Sequence, residues 1–236
     1  MIAQSFSNAW SIYRARFGLI AAVVATIWIP CELIDSYLTY FVIDPENLRA
    51  QIRLSQFLDN FIGIIATAGV TCIALNAGSE RKTSYGEALG TGFKSWGRMW
   101  ITRFLFGVAV IVGLLLLIIP GIFLAVRLGL GEAVVIAEGK SGPAALRRSY
   151  ELTRGRFWPL LGIIGLIILI CLPLLLLTSL PAAFIPQLDH WLINAGTMLA
   201  VDIIVAFFTI VFLCSYRILA EPNDSEPPSL PVASAA

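Results

Sequence analysis

Charge is what this chain has least of. Asp, Glu, Lys and Arg together make up 13% of its 236 residues, where a soluble globular protein carries about 25%. Hydrophobic residues make up 58%, and the mean hydropathy is +0.85. A water-soluble fold of this length cannot hide so much apolar surface, so the surplus must face lipid. A net charge of +1 carries no message about nucleic acid, because the charges are segregated along the chain and cancel only in the sum; no nucleic-acid partner is expected. Histidine occurs once, at His190. Cys31, Cys72, Cys171 and Cys214 all fall in apolar stretches, with no Cys-x-x-Cys pair and no zinc-ligand spacing. They read as packing residues. Asp189-His190-Trp191 places an acid beside the histidine, but no nucleophile with a recognisable motif accompanies it. Gly129-Leu130-Gly131 lacks the preceding strand of a nucleotide-binding turn. Neither a cofactor, a metal nor an enzymatic activity is expected. Trp28-Ile29-Pro30 before Cys31 is too bulky for a signal-peptide cleavage site, so the first apolar run is expected to remain as a span.

What the chain does have is a repeat. Ala9-Trp10-Ser11-Ile12-Tyr13-Arg14-Ala15-Arg16-Phe17 and Ser149-Tyr150-Glu151-Leu152-Thr153-Arg154-Gly155-Arg156-Phe157 both end Arg-small-Arg-Phe ahead of a long apolar stretch. A looser third copy, Gly92-Phe93-Lys94-Ser95-Trp96-Gly97-Arg98, lies within Ser84 to Trp100. The pattern predicts an all-α, polytopic membrane protein: three amphipathic interfacial helices, each followed by a membrane-crossing hairpin.

About 20 apolar residues are needed for one crossing. Six such stretches are expected: Phe17–Ile43, Phe57–Ala77, Ile101–Ile119, Ile122–Ala137, Phe157–Ser179 and Leu192–Ala220. Pro120-Gly121 reads as the tight turn between the third and fourth. Asp44, Pro45 and Glu46 carry a helix-start signature for the loop up to Gln56. Lys and Arg gather on one side, from Arg14, Arg16, Arg81 and Lys82 through Lys94, Arg98, Arg103 and Lys140 to Arg147, Arg148, Arg154, Arg156 and Arg217; the other side has Arg49 and Arg53. That bias puts both termini and all three repeats on the cytoplasmic side. Residues 1–220 form the helical membrane domain. Residues 221–236 are acidic and proline-rich, a solvated cytoplasmic tail.

Pro143 to Phe157 is expected as one surface helix, with Ser141 or Gly142 capping, Ala145, Leu146, Ser149, Leu152 and Thr153 on the inward stripe, and Arg147, Arg148, Glu151 and Arg154 opposite. Arg14, Arg16, Arg98, Arg147, Arg148, Arg154 and Arg156 are the expected contacts to headgroups of anionic membrane lipids, at about 1 kcal/mol per basic residue, or else they only hold this end in the cytoplasm.

Two further patterns lie inside the spans. Gly121, Ala125, Gly129, Ala133 and Ala137 recur every four residues and predict a stripe on which a neighbouring helix, of this chain or a second copy, packs closely. Arg127, Glu132 and Asp202, with Glu32 and Asp35, form the candidate intramembrane polar site, since a charge at membrane depth needs a partner or a wet cavity. Arg127 is expected to pair with Glu32, Asp35 or Asp202. Glu132 flanks the small-residue stripe while Arg127 lies opposite it, so the two serve different partners.

Pro120-Gly121-Ile122-Phe123-Leu124-Ala125-Val126-Arg127-Leu128, Glu138-Gly139-Lys140 and Ala145 through Trp158 resemble the membrane domain that precedes the catalytic domain in some glycerophosphoryl diester phosphodiesterases, and its stand-alone bacterial inner-membrane relatives of uncharacterised function. The resemblance implies a polytopic helical fold in a bacterial cytoplasmic membrane. It does not imply phosphodiesterase activity, whose histidines and metal-binding carboxylates sit on a separate domain. The expected function is a non-catalytic scaffold or accessory factor contacting lipid or a membrane-protein partner; the alternative is a small-solute or lipid transporter using the polar site.

Overall fold

A computed structural model describes residues 1–44, 47–77, 83–184 and 190–220. Among these there is no strand. The helices are α1 (Ile2–Ala15), α2 (Phe17–Phe41), α3 (Leu48–Leu58), α4 (Ile64–Leu75), α5 (Tyr85–Leu116), α6 (Ile118–Leu128), α7 (Gly131–Glu138), α8 (Pro143–Leu152), α9 (Phe157–Phe184) and α10 (Trp191–Ala220). Six runs are long and apolar enough to cross a membrane: Phe17–Phe41, Leu48–Leu75, Tyr85–Leu116, Ile118–Glu138, Phe157–Leu174 and Trp191–Ala220. Arg81, Lys82, the 221–236 tail and Asp189 lie outside the described residues, as do Pro45 and Glu46 of the proposed helix start. The helix there begins at Leu48, capped by Asn47, whose side-chain oxygen accepts from the Ala50 N–H at 3.1 Å. It runs on into α4 through a π-helical segment, Asp59–Gly63, and does not stand alone in a loop.

Two of the three repeats make separate short helices. α1 turns into α2 at Arg16, and α8 ends at Leu152 rather than Phe157. Gly155 at φ +77° makes the second of these turns, a backbone conformation that costs a glycine nothing. The third copy has no such break. Gly92 to Arg98 sits inside α5, which continues for 32 residues, about 48 Å at 1.5 Å per residue. The inward faces of α1 and α8 follow the expected spacing: Ser5, Ala9 and Tyr13 are buried on the first, Ala145, Leu146 and Ser149 on the second. α1 lies along α10, with Ser215 Oγ donating to Ser5 Oγ at 3.1 Å and Tyr13 Oη donating to the Ile203 carbonyl at 2.8 Å. Burial pushes the Tyr13 phenol above its ordinary pKa. The core draws on all the helices but α3, among others through Ala9, Ile20, Ile73, Met99, Ala145 and Ile210. Leu115, Leu116, Ile118 and Ile119 at the α5–α6 tip are about 70–80% exposed and form an apolar patch.

That tip also departs from expectation. The chain reverses at Leu117, which is extended at φ −165°, ψ 150°. Pro120 and Gly121 fall in the first turn of α6, where a proline loses no hydrogen bond. Gly121 instead lets α6 press on α5: a Cβ built there would lie 2.4 Å from Leu114 Cδ2 and 2.8 Å from the Leu114 nitrogen.

The fourth run is broken. α6 stops at Leu128 and α7 starts at Gly131, so the five small residues do not share one helix face. The backbone groups opened by this break are met by the hydroxyls of α8. Ser149 Oγ donates to the Arg127 carbonyl at 2.9 Å and accepts from the Leu130 N–H at 3.1 Å; Thr153 Oγ1 donates to the same carbonyl at 3.1 Å. Both side chains are fully buried. Ser149→Ala removes the hydroxyl without adding bulk; it leaves the buried Leu130 N–H without its partner, at about 1–3 kcal/mol, while the Arg127 carbonyl keeps Thr153. We expect a loss of about 1–3 kcal/mol, read by equilibrium unfolding in mixed micelles; a loss below about 0.5 kcal/mol would deny that Ser149 staples the break.

Candidate functional site

The break re-aims Glu132. It points at α5, where Arg103 grips it in a fork: Nε to Oε1 at 2.6 Å and Nη2 to Oε2 at 3.0 Å. Arg103 Nη1 also donates to the Asp59 carbonyl at 3.2 Å, and Trp96 Nε1 donates to the Phe61 carbonyl. Both carbonyls belong to the π-helical segment, whose wider turn displaces backbone groups from the usual ladder and is a frequent feature of functional sites. One irregularity in α4's lead-in and one in α6–α7 thus converge on a single arginine.

Around this arginine is a cavity of about 560 Å³, bordered by Asp59, Asn60, Arg103, Glu132 and Asp202, with Trp28 on the α2 side. Its size falls in the usual range for small-molecule sites. Arg103 is the one basic residue on the wall among the described residues, and it is committed to Glu132. Asp202 Oδ2 is buried with no hydrogen-bond partner. Glu32 lies behind it, close enough for the two carboxyls to interact. Among the described residues no three His, Cys, Asp or Glu side chains converge as metal ligands, and Cys31, Cys72, Cys171 and Cys214 are free.

Of the five residues expected to share a polar site, two border the cavity and one backs it. Asp35 is elsewhere, accepting from Ser55 Oγ at 3.1 Å and so tying α2 to α3. Arg127 does not pair with Glu32, Asp35 or Asp202. It is 8% exposed, with its guanidinium 4.2 Å from the Tyr150 ring centre and 5.4 Å from that of Phe123, and Nη1 donates to Thr153 Oγ1 at 3.5 Å. Its Nε has no partner. The reason is geometric: α6 ends one residue later, and at that end α8 and the turn after it bring Tyr150 and Thr153 to the guanidinium. With the reversal at Leu117, Arg127 lies about 15 Å along α6 from the turn. The expectation that Arg127 and Glu132 serve different partners holds.

The small-residue stripe divides in the same way. Gly121 makes the close helix contact, but Ala125, Gly129 and Ala133 border a second, apolar cavity of about 460 Å³ between α4, α6–α7, α9 and α10. Missed in the sequence were Arg103 and Trp28. Arg103 carried a signal, since it lies inside the stretch expected to span.

Among the residues assigned to headgroups, Arg14, Arg147, Arg154 and Arg156 are exposed. Arg16 is half-buried. Arg147 pairs with Glu151 one turn on, at 3.1 Å, as their spacing predicts. Arg98 and Arg148 are diverted to the fold. Arg98 Nη1 donates to the Gly139 carbonyl at 3.1 Å, and Arg148 Nε donates to Glu138 Oε1 at 2.9 Å, a bond that raises the Arg148 pKa further. Glu138 also takes bonds from Lys140 and Tyr216, which joins the α7–α8 turn to the end of α10. His190 Nδ1 accepts from the Leu192 N–H at 3.3 Å at the start of α10.

Residues 46–219 match the family described as Domain of unknown function (DUF7847). The chain belongs to this family. Asp59, Arg103, Glu132 and Asp202 fall within the DUF7847 stretch, whereas Trp28 and Glu32 precede it. No curated protein and no solved structure matches the chain. Nothing in these comparisons links DUF7847 to the membrane domains of glycerophosphoryl diester phosphodiesterases.

Proposed function

We propose that this DUF7847 protein is an integral protein of a bacterial cytoplasmic membrane, both termini cytoplasmic, that takes up a small solute or a lipid at the polar cavity without catalytic chemistry. The cavity carries this reading. Ionisable groups at membrane depth cost on the order of 2.5–3.5 kcal/mol each on insertion scales, and a packed scaffold would neutralise or omit them. Here Asp202 keeps an unpartnered oxygen beside about 560 Å³ of space. The apolar runs, the exposed apolar tip and the Lys/Arg bias support insertion and orientation. Resemblance to the phosphodiesterase membrane domains over Pro120–Trp158 fits the same membrane.

A second reading, the scaffold that contacts anionic lipid or a membrane-protein partner, is favoured by the exposed Arg14, Arg147, Arg154 and Arg156 on or beside the two short helices. The two readings separate on one experiment. Protein reconstituted into vesicles is offered a panel of labelled amines, amino acids and short-chain lipids. Uptake or saturable binding that falls on Asp202→Asn but persists on Arg147→Gln supports the cavity reading. No uptake and no binding across the panel returns the protein to the scaffold class.

A further inference from the structure

The polar and the apolar cavities share a wall. Thr67, Phe106, Glu132, Val205 and Thr209 border both the volume of about 560 Å³ and that of about 460 Å³. Their chemistry is opposite. The first carries Asp59, Asp202 and the Arg103–Glu132 pair; the second is walled by Ile164, Ile167, Phe208 and Phe212, with Ala125, Gly129 and Ala133 as its recess. α9 borders this recess through Ile164, Ile167 and Cys171, while its Ile168, Leu169 and Leu172 are exposed.

We propose that the adjoining cavities hold one amphiphile: a cationic, amine-type headgroup in the polar chamber and its alkyl chain in the apolar one. This rests on the cavity reading above and names its ligand class. Charge selects the head. Asp59, Asp202 and Glu132 outnumber Arg103 on the wall, and Arg103 is engaged by Glu132, so the wall carries an excess of carboxyl groups. Trp28 adds an aromatic wall of the kind that favours ammonium groups. Area selects the tail, because an apolar chamber beside a polar one is filled at least cost by a chain attached to the same head. α9, which contributes Cys171 to the apolar chamber, is the element along which the chain would enter from lipid.

Cys171 makes the test direct, since it is half-buried while Cys31, Cys72 and Cys214 are buried. The full chain in dodecyl maltoside micelles is alkylated with N-ethylmaleimide, and the rate is read on the Cys171 peptide by mass spectrometry, with the thermal midpoint measured in parallel. Hexadecyltrimethylammonium at about ten times its dissociation constant is expected to slow Cys171 about tenfold and raise the midpoint. Hexadecyl sulfate at the same micellar fraction is expected to do neither, and Asp202→Asn is expected to abolish the protection. Equal protection by the sulfate means an adventitious additive only, and overturns the proposal. So does protection by neither long-chain probe. Tetramethylammonium separates this failure from that of the broader reading: if it raises the midpoint while hexadecyltrimethylammonium leaves Cys171 unprotected, the cavity binds a small cation and the amphiphile is wrong. The wild-type comparison of the two long-chain probes decides the matter even where Asp202→Asn does not fold.

Discussion

Glu132→Ala lowers the stability of the bundle by about 2 kcal/mol. Removing one partner of a fully buried ion pair costs about 3–5 kcal/mol, because the survivor is left as an uncompensated charge. The Arg103 and Glu132 side chains are 24% and 31% exposed, toward the cavity, so part of that cost is screened. The double replacement Arg103→Ala with Glu132→Ala costs less than the two single losses added together, with a coupling energy of about 1–2 kcal/mol. Unfolding in mixed micelles measures all three. The pair also responds weakly to salt, unlike the exposed Arg147–Glu151 pair, where little stability is at stake. Additive single losses would mean that the fork makes no contribution beyond its packing. The same variants report on the site, since without Glu132 the Arg103 head is free to neutralise Asp202 across the cavity.

The second large effect is steric. Gly121→Val costs about 3 kcal/mol or more, at the upper end of what overpacking does. A side chain at that position meets Leu114 at both its branch and its backbone nitrogen, and a backbone atom cannot rotate away. α6 must shift off α5, which also loosens the Ser149 staple further along. Gly97→Ala is the control. It lies on α5, away from the crossing, with nothing within 4 Å of the added methyl, and it gains about 0.5–1 kcal/mol from helix propensity and reduced chain entropy. If both substitutions destabilised alike, contact at the α5–α6 crossing would not be the cause.

These two residues show where sequence patterns stop being informative. Every-fourth spacing includes Gly121, which sits in the regular first turn of α6 and presses on Leu114. The same spacing failed beyond Gly129, because a periodic stripe presupposes one continuous helix and this one is interrupted. The interruption is itself stabilised from a distance, by Ser149 and Thr153 some twenty residues on. No local signal in Gly129-Leu130-Gly131 announces that hydroxyls from α8 will cap it. Arg127 went astray for the same reason. The carboxylates of other spans are not its partners; α8 and its C-cap bring Tyr150 and Thr153 to it. Arg103 was within reach of sequence reasoning: an arginine inside an apolar run, with a carboxylate inside the next one, is a pair worth considering.

What the amino-acid order settles alone is whatever depends on composition and short periods. Scarce charge and long apolar runs dictate helices that want lipid, and Arg-small-Arg-Phe marks where two of the short helices hand over to long ones. Those signals are local, since hydrophobic transfer and helix hydrogen bonding act residue by residue. The site is different. Asp59, Arg103, Glu132 and Asp202 come from four separate segments, and only the packed bundle, with its π-helical turn and its broken fourth run, turns their side chains toward one space. Pairing of charges depends on distance in three dimensions, and that distance is not written in the spacing along the chain.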